Sequence, residues 1–266
     1  MNGGGSVRRP ARRLGVGGGE AREETVAEEV AVALVYNGLS HAVMMATPCD
    51  LEDFALGFSL TERIVERPPE VYDIEVEAVG GGIEVRLEIA AQRMMALRER
   101  RRSLAGRTGC GLCGVDSLAA ALRPVTAVSN PQPVAQRAIE RAMAGLPEHQ
   151  RINADNGGTH AAGWASPDGA LVAVREDVGR HNALDKLAGA LARSGGAAPG
   201  GFVVVTSRCS YEMVQKAAVI GASAIAAVSA PTSLAIETAE QAGVALAAFV
   251  REGRLTVYAH AERIVA

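Results

Sequence analysis

Apolar and polar positions in this chain fall into two successive rhythms. Val26 to Val35 (VAEEVAVALV) reads as a strand, Tyr36-Asn37-Gly38 as its turn, and His41 to Ala46 as the returning partner. Leu51, Phe54, Ala55, Phe58 and Val65 then recur at helical spacing. Thr47 is placed to be the N-cap of that helix, Pro48 its first residue and Asp50 the closing member of a capping box, with Pro68-Pro69 as the stop. Alternation returns in Ile74 to Val79 and Ile83 to Ile89 around Gly80-Gly81-Gly82, a second hairpin. These elements predict a small N-terminal α/β domain over residues 25–96. Residues 1–24, rich in Gly, Arg and Glu with almost nothing to bury, predict a disordered tail.

Residues 97–131 break the pattern and read as an Arg-rich connection, long enough to imply a function. Beyond it, over 132–266, comes a short amphipathic helix (Val134 to Met143), then two strands (Thr159–Ala165 and Ala170–Val174) around Pro167-Asp168-Gly169. A helix carrying Leu184, Leu187, Ala188 and Leu191 follows Arg175 to Asn182. Strands at Phe202–Thr206, Ala224–Val228 and Val244–Val250 alternate with helices at Ser210–Ile220 and Thr232–Ala242, before a last strand at Leu255–Ala259. That βαβαβ series predicts parallel strands joined by right-handed crossovers, and the second domain a mixed sheet with helices on its faces. The fold class is α/β, α+β overall.

The connection carries the chemistry. Gly106-Arg-Thr-Gly-Cys-Gly-Leu-Cys-Gly114 sets Cys110 and Cys113 at C-x-x-C spacing among four glycines, downstream of Arg98, Arg100, Arg101, Arg102 and beside Arg107. Nearby cations favour the thiolate, the nucleophilic form of sulfur. A glycine-rich, electropositive cysteine pair suits a site that accepts a group and hands it on. Two other readings stay open, a redox disulfide and half of a zinc site completed by His160 and His181. Cys49 reads as a small buried residue; Cys209, at a helix start, is either packing or a second thiol in the relay.

Composition narrows the rest. A formal charge of −3 over 266 residues gives no positive field for nucleic acid, and no apolar run has the length of a membrane span. The N-terminal arginines precede no apolar segment, so no secretory or twin-arginine signal is expected, and four cysteines suit a reducing, cytoplasmic setting. Ser207-Arg208-Cys209-Ser210 and Ser229-Ala230-Pro231-Thr232-Ser233 each join a strand to a helix, where free N–H groups can meet an anion. Arg180-His181 and Arg251-Glu252-Gly253-Arg254 add cations, together a cradle for a phosphate-bearing ligand.

Six segments in order resemble the formate dehydrogenase accessory sulfurtransferase family: TPCDLEDFALGFSLTERIV, GRTGCGLCG, REDVGRHNALDK, SRCSYEMVQKAA, SAPTSLAIETAEQAG and VREGRLTVYAH. The resemblance implies a homodimeric sulfur carrier. A cysteine desulfurase would load a persulfide onto Cys110, and the sulfur would pass to the molybdenum cofactor, bis(molybdopterin guanine dinucleotide), before its insertion into formate dehydrogenase. It places Cys113 beside that chemistry and aligns Phe249, Val250, Arg251, Glu252, Gly253 and Arg254 with the cofactor-binding stretch. It also implies a C-terminal domain similar in fold to cytidine deaminases, although the H-x-E and P-C-x-x-C zinc signature is missing, so no metal and no deamination are expected. The rival functions are a cofactor chaperone that transfers no sulfur and a zinc-stabilised binding module.

Overall fold

A computed structural model describes residues 4–16, 18–105 and 125–266, the side chains of 101–105 excepted. Cys110 and Cys113, with the glycines around them, lie outside the described residues.

The first departure from expectation is at the N-terminus. In place of a disordered tail, β1 (Ser6–Gly15) and β2 (Gly18–Ala27) form an antiparallel hairpin. Composition alone misses the reason. Arg8, Arg9, Arg12 and Arg13 fall on β1 and Glu20, Glu23 and Glu24 on β2, so Arg9 lies opposite Glu24 and Arg13 opposite Glu20, and opposite charges across a ladder stabilise it.

The N-terminal unit is a four-stranded sheet in the order β4-β3-β6-β5, from β3 (Val30–Tyr36), β4 (Leu39–Ala46), β5 (Val71–Val79) and β6 (Gly82–Ile89). One face, Val32, Leu34, Tyr36, Val85, Leu87 and Ile89, buries against Phe54, Ala55 and Phe58 of α1 (Leu51–Thr61). The helix start differs from the one expected. Asp50 is the cap residue in the left-handed region at φ 51°, with no side-chain cap bond, because Thr47 is committed elsewhere. The cation run belongs largely to a helix and not to a connection: α2 spans Ala91–Ala105. Arg93 anchors it through Glu70 (Nε to Oε2, 3.0 Å), and that guanidinium holds the Glu70 carboxyl down to about 2.

The larger unit is a six-stranded sheet in the order β13-β12-β11-β10-β8-β9. Its strands are β8 (His160–Ala165), β9 (Leu171–Asp177), β10 (Phe202–Val205), β11 (Ala224–Ala227), β12 (Ala245–Arg251) and β13 (Arg254–Ala259). The pairs β10–β11 and β11–β12 are parallel, as the alternating pattern predicts; the outer pairs are antiparallel. Both faces are covered, so the central strands are continuous apolar runs. Val203, Val205, Ile225 and Leu246 face α5 (Arg180–Arg193), α6 (Tyr211–Val219) and α7 (Ser233–Ala242). Phe202, Val204, Ala226 and Ala247 face α3 (Gln136–Gly145). A short helix, α4 (Arg151–Asn156), and a two-stranded parallel pair, β7 (Val134–Ala135) with β14 (Ile264–Val265), complete the described chain.

The two units meet where α1 crosses α5. A Cβ on Gly57 would lie 1.7 Å from the Asp185 carbonyl oxygen, and one on Gly189 would lie 1.9 Å from that of Asp53. The helices therefore touch backbone to backbone, and glycine at both points permits it. Charged groups seal the seam. Lys186 Nζ sits 2.7 Å from Asp177 Oδ2, both side chains fully buried, and also donates to the Thr47 carbonyl at 2.9 Å. Thr47 N–H donates to Asp177 (3.0 Å), and its hydroxyl accepts from Val178 N–H (3.1 Å), which is what removes it from capping α1. Lys216 Nζ contacts Asp185 Oδ1 (2.8 Å), Thr61 Oγ1 (3.0 Å) and Glu62 Oε1 (3.1 Å). Burial disfavours its charge, but Asp185 and Glu62 outweigh that and hold its pKa above the usual lysine value. Removing one member of such a pair strands a buried charge, at a cost of about 3–5 kcal/mol.

Candidate functional site at the carboxyl edge of the sheet

Parallel strands direct their carboxyl ends, and the N-termini of the helices that follow, to one edge of a sheet. Here β10 ends at Ser207-Arg208-Cys209-Ser210, β11 at Ser229-Ala230-Pro231 and β12 at Phe249-Val250-Arg251. Cys209 N–H donates to the Ala230 carbonyl (3.1 Å), Thr232 N–H to the Cys209 carbonyl (3.0 Å) and Phe249 N–H to the Ser229 carbonyl (3.4 Å). These bonds stitch the three turns side by side. Strand β8 is antiparallel to β10, so its first residue, His160, reaches the same edge, paired with Asp177 at the end of β9.

At one end of the edge lies the stretch 249–254. Phe249 has φ 54° where the β12–β13 register slips, and Glu252 (φ 52°) with Gly253 (φ 69°) makes the two-residue turn between Arg251 and Arg254. A turn with two successive positive φ values matches the strand twist and explains the glycine. Arg251 and Arg254 are both exposed, and Arg254 meets Glu252 at 2.9 Å. Beside them a hollow of about 570 Å³ is lined by Gln136, Phe249, Arg251, Gly253, Arg254, Leu255 and Thr256. Of the sequence-predicted cofactor stretch, Arg251 to Arg254 form an exposed turn and Phe249 lines the hollow beside it, whereas Val250 is buried in the core at 3% exposure.

At the other end, the N-termini of α5 and α6 meet. His181 Nε2 lies 3.0 Å from Glu212 Oε2 and 3.3 Å from Ser210 Oγ. The His181 bond holds the Glu212 carboxyl below its ordinary value. His160 is half-buried, and burial, helped by the Arg180 charge, lowers its proton affinity. Neither α5, headed by Gly179, nor α6, headed by Ser210, has a side-chain cap bond.

Burial disfavours the thiolate at both described cysteines. Cys209 is buried at 0% exposure, and burial pushes its thiol up to about 12. The helix start does not make it a nucleophile; it packs with Met213 and Val214. Cys49 is half-buried, 3.8 Å from Lys186 Nζ; burial raises its pKa despite the nearby ammonium. Cys49 is thus less enclosed than the small buried residue expected, since it also lines a surface hollow with Pro48 and Asp50. Cys110 and Cys113 fall outside the described residues, so their geometry is not part of this site. Sequence reasoning missed the seam: within REDVGRHNALDK it noted Arg180 and His181 but not that Arg175, Asp177, Asn182, Asp185 and Lys186 bind the other unit. The alternation of charged residues with small and apolar ones on a helix buried on most sides was the available signal.

Fold and edge together define a two-unit α/β protein whose larger unit carries exposed arginines, Arg251 and Arg254, at the carboxyl edge of a mixed sheet. The chain belongs to the FdhD/NarQ family, whose model matches residues 27–265. It is 58% identical to the "Sulfur carrier protein FdhD" of Cupriavidus necator over 91% of this chain and 84% of that protein. It is 52% identical to the protein of the same name from Bordetella petrii, over 95% and 91%. The crystal structure of a putative formate dehydrogenase accessory protein from Desulfotalea psychrophila superposes with a TM-score of 0.74, covering 98% of this chain and 99% of that one at 24% identity, and so shares the fold. Among the described residues, no helix is long and apolar enough to cross a membrane.

Proposed function

We propose that this protein carries sulfur for the maturation of formate dehydrogenase, with Cys110 as the persulfide-bearing residue. The observation that carries the reading is 58% identity to a sulfur carrier protein over nearly the whole chain. The sulfur chemistry of the described residues supports the choice of cysteine. Burial makes Cys209 a poor thiolate and raises Cys49, which leaves the C-x-x-C pair, set among arginines, as the thiols suited to exchange.

The Cys110 thiolate attacks the outer sulfur of a persulfide held by a cysteine desulfurase. One S–S bond forms, the donor's S–S bond breaks, and the desulfurase leaves as its thiolate, with no net oxidation. We infer that the Cys113 thiolate then attacks Cys110's inner persulfide sulfur, so that a Cys110–Cys113 disulfide forms, the persulfide S–S bond breaks and the outer sulfur leaves as hydrosulfide, the dithiol supplying the two electrons; that sulfur goes to the molybdenum cofactor, bis(molybdopterin guanine dinucleotide), which is the cargo. Arg251 and Arg254 in the exposed turn, with Phe249 beside them, suit the phosphates and flat rings of that cargo. In the sequence Cys113 follows Cys110 by three positions, the C-x-x-C spacing that makes it the candidate thiol for attacking the persulfide or for steadying the thiolate. Two copies of the chain and the client dehydrogenase complete the assembly. The test is maturation in cells: Cys110→Ala abolishes formate dehydrogenase activity when it replaces the native chain, and full activity with that variant would refute the assignment.

A further inference from the structure

The four-stranded sheet of the N-terminal unit ends in an open edge. Its outermost strand, β5, is about 30 Å long, and among the described residues its backbone bonds only to β6. The other side of the strand is a row of N–H and C=O groups, the template on which an extended chain pairs. The side chains along this edge are exposed as well. Val76 and Ala78 lie opposite Val85 and Ile83 and so share the face that α1 covers, yet Val76 is 45% exposed and neighbouring Tyr72 68%. Two hollows, about 550 and 280 Å³, follow the strand. Val76, Ala78 and Ile83 line the first, Tyr72, Ile74 and Leu56 the second, and Glu52 and Arg193 line both, so the two adjoin.

The opposite face of the same strand is acidic. Asp73, Glu75 and Glu77 are all exposed there. The register sets Asp73 opposite Glu88 and Glu77 opposite Glu84, two like-charge pairs, and only Glu75 lies opposite a cation, Arg86. Arg86 is itself shared between Glu77 and Glu84. Like charges directly across a ladder are destabilising, and a cation on an added strand would stand beside these acids and relieve them. A second copy pairing through its own β5 would instead bring the same carboxylates together, so the charges oppose self-association at this edge.

We propose that the free edge of β5 docks, by strand addition, an extended segment of a partner protein in which Lys or Arg alternates with apolar residues. Backbone bonding to β5 supplies affinity, and the alternation supplies the choice of partner. Successive side chains of an added strand point to opposite faces. The apolar ones enter the hollows beside Ile74 and Val76, while the basic ones stand across from Asp73, Glu75 and Glu77. The docking edge belongs to the small unit and does not rest on the sulfur-carrier reading.

The test uses the full chain and two fluorescently labelled peptides of matched length, one alternating lysine with valine, the other glutamate with valine. By fluorescence anisotropy the lysine peptide binds about tenfold or more tightly than the glutamate peptide, and Glu75→Lys with Glu77→Lys removes that preference. Amide hydrogen exchange at saturating lysine peptide slows by about tenfold or more across Val71–Val79 and stays within about twofold in the larger sheet. The exchange measurement needs no variant, so it decides even where the double variant does not fold. Equal binding of the two peptides overturns the proposal, as does failure of the lysine peptide to bind. Charge-driven binding that leaves exchange across β5 unchanged also overturns it. Protection of β5 that rises with protein concentration in the peptide-free chain would give the edge to a second copy, and the proposal falls.

Discussion

Cys209 shows how position in sequence and position in the fold can point opposite ways. Its place before a helix favours a reactive thiol, yet it is fully buried and its pKa is pushed up to about 12. Burial removes both access and the charged form. In the native chain at pH 8, iodoacetamide therefore leaves Cys209 unmodified and labels it only after unfolding; labelling at the rate of a free thiol would show the site to be open. The sign of the pH effect follows. The unfolded chain ionises this thiol near its ordinary value of 9 while the folded chain keeps it protonated to about 12, so it contributes falling stability as pH rises through that window. The C-x-x-C pair was legible from spacing and charge alone. The inertness of Cys209 was not, because it depends on what α6 and α7 place over it.

Among elements, the α1–α5 crossing is the contact that joins the two units. Gly57 and Gly189 sit where a methyl group would enter a backbone carbonyl. Gly57→Ala lowers stability by about 2 kcal/mol or more, because neither helix backbone can yield without separating the seam. Denaturant unfolding measures it, and a loss below about 0.5 kcal/mol would contradict backbone contact. The hydrophobic pattern revealed α1 and α5 as buried helices, and the strand rhythm after residue 200 gave the parallel core in the observed order. Neither pattern could show which helix each would meet. The N-terminal hairpin was hidden for a related reason: its register sets Arg9 opposite Glu24 and Arg13 opposite Glu20, an order of charges that composition averages away.

At the scale of the whole molecule, a rigid seam fixes the sheet edge relative to the small unit, and the edge offers cationic groups at both ends. Buried Lys186–Asp177 and Lys216–Asp185 pairs make that arrangement specific, since each holds together residues more than 120 positions apart, Thr47 with Asp177 and Thr61 with Asp185. The resemblance in six segments carried the functional class, but most of those segments turn out to build the seam and the edge. Cys110 alone is asked to carry sulfur. The most direct measurement is therefore intact mass of the protein after incubation with a cysteine desulfurase and cysteine, comparing the native chain with Cys110→Ala and Cys113→Ala. A reducible gain of about 32 Da that is absent only in Cys110→Ala is the expected result. The same gain persisting in Cys110→Ala, or no gain in the native chain with a competent desulfurase, would contradict the persulfide assignment.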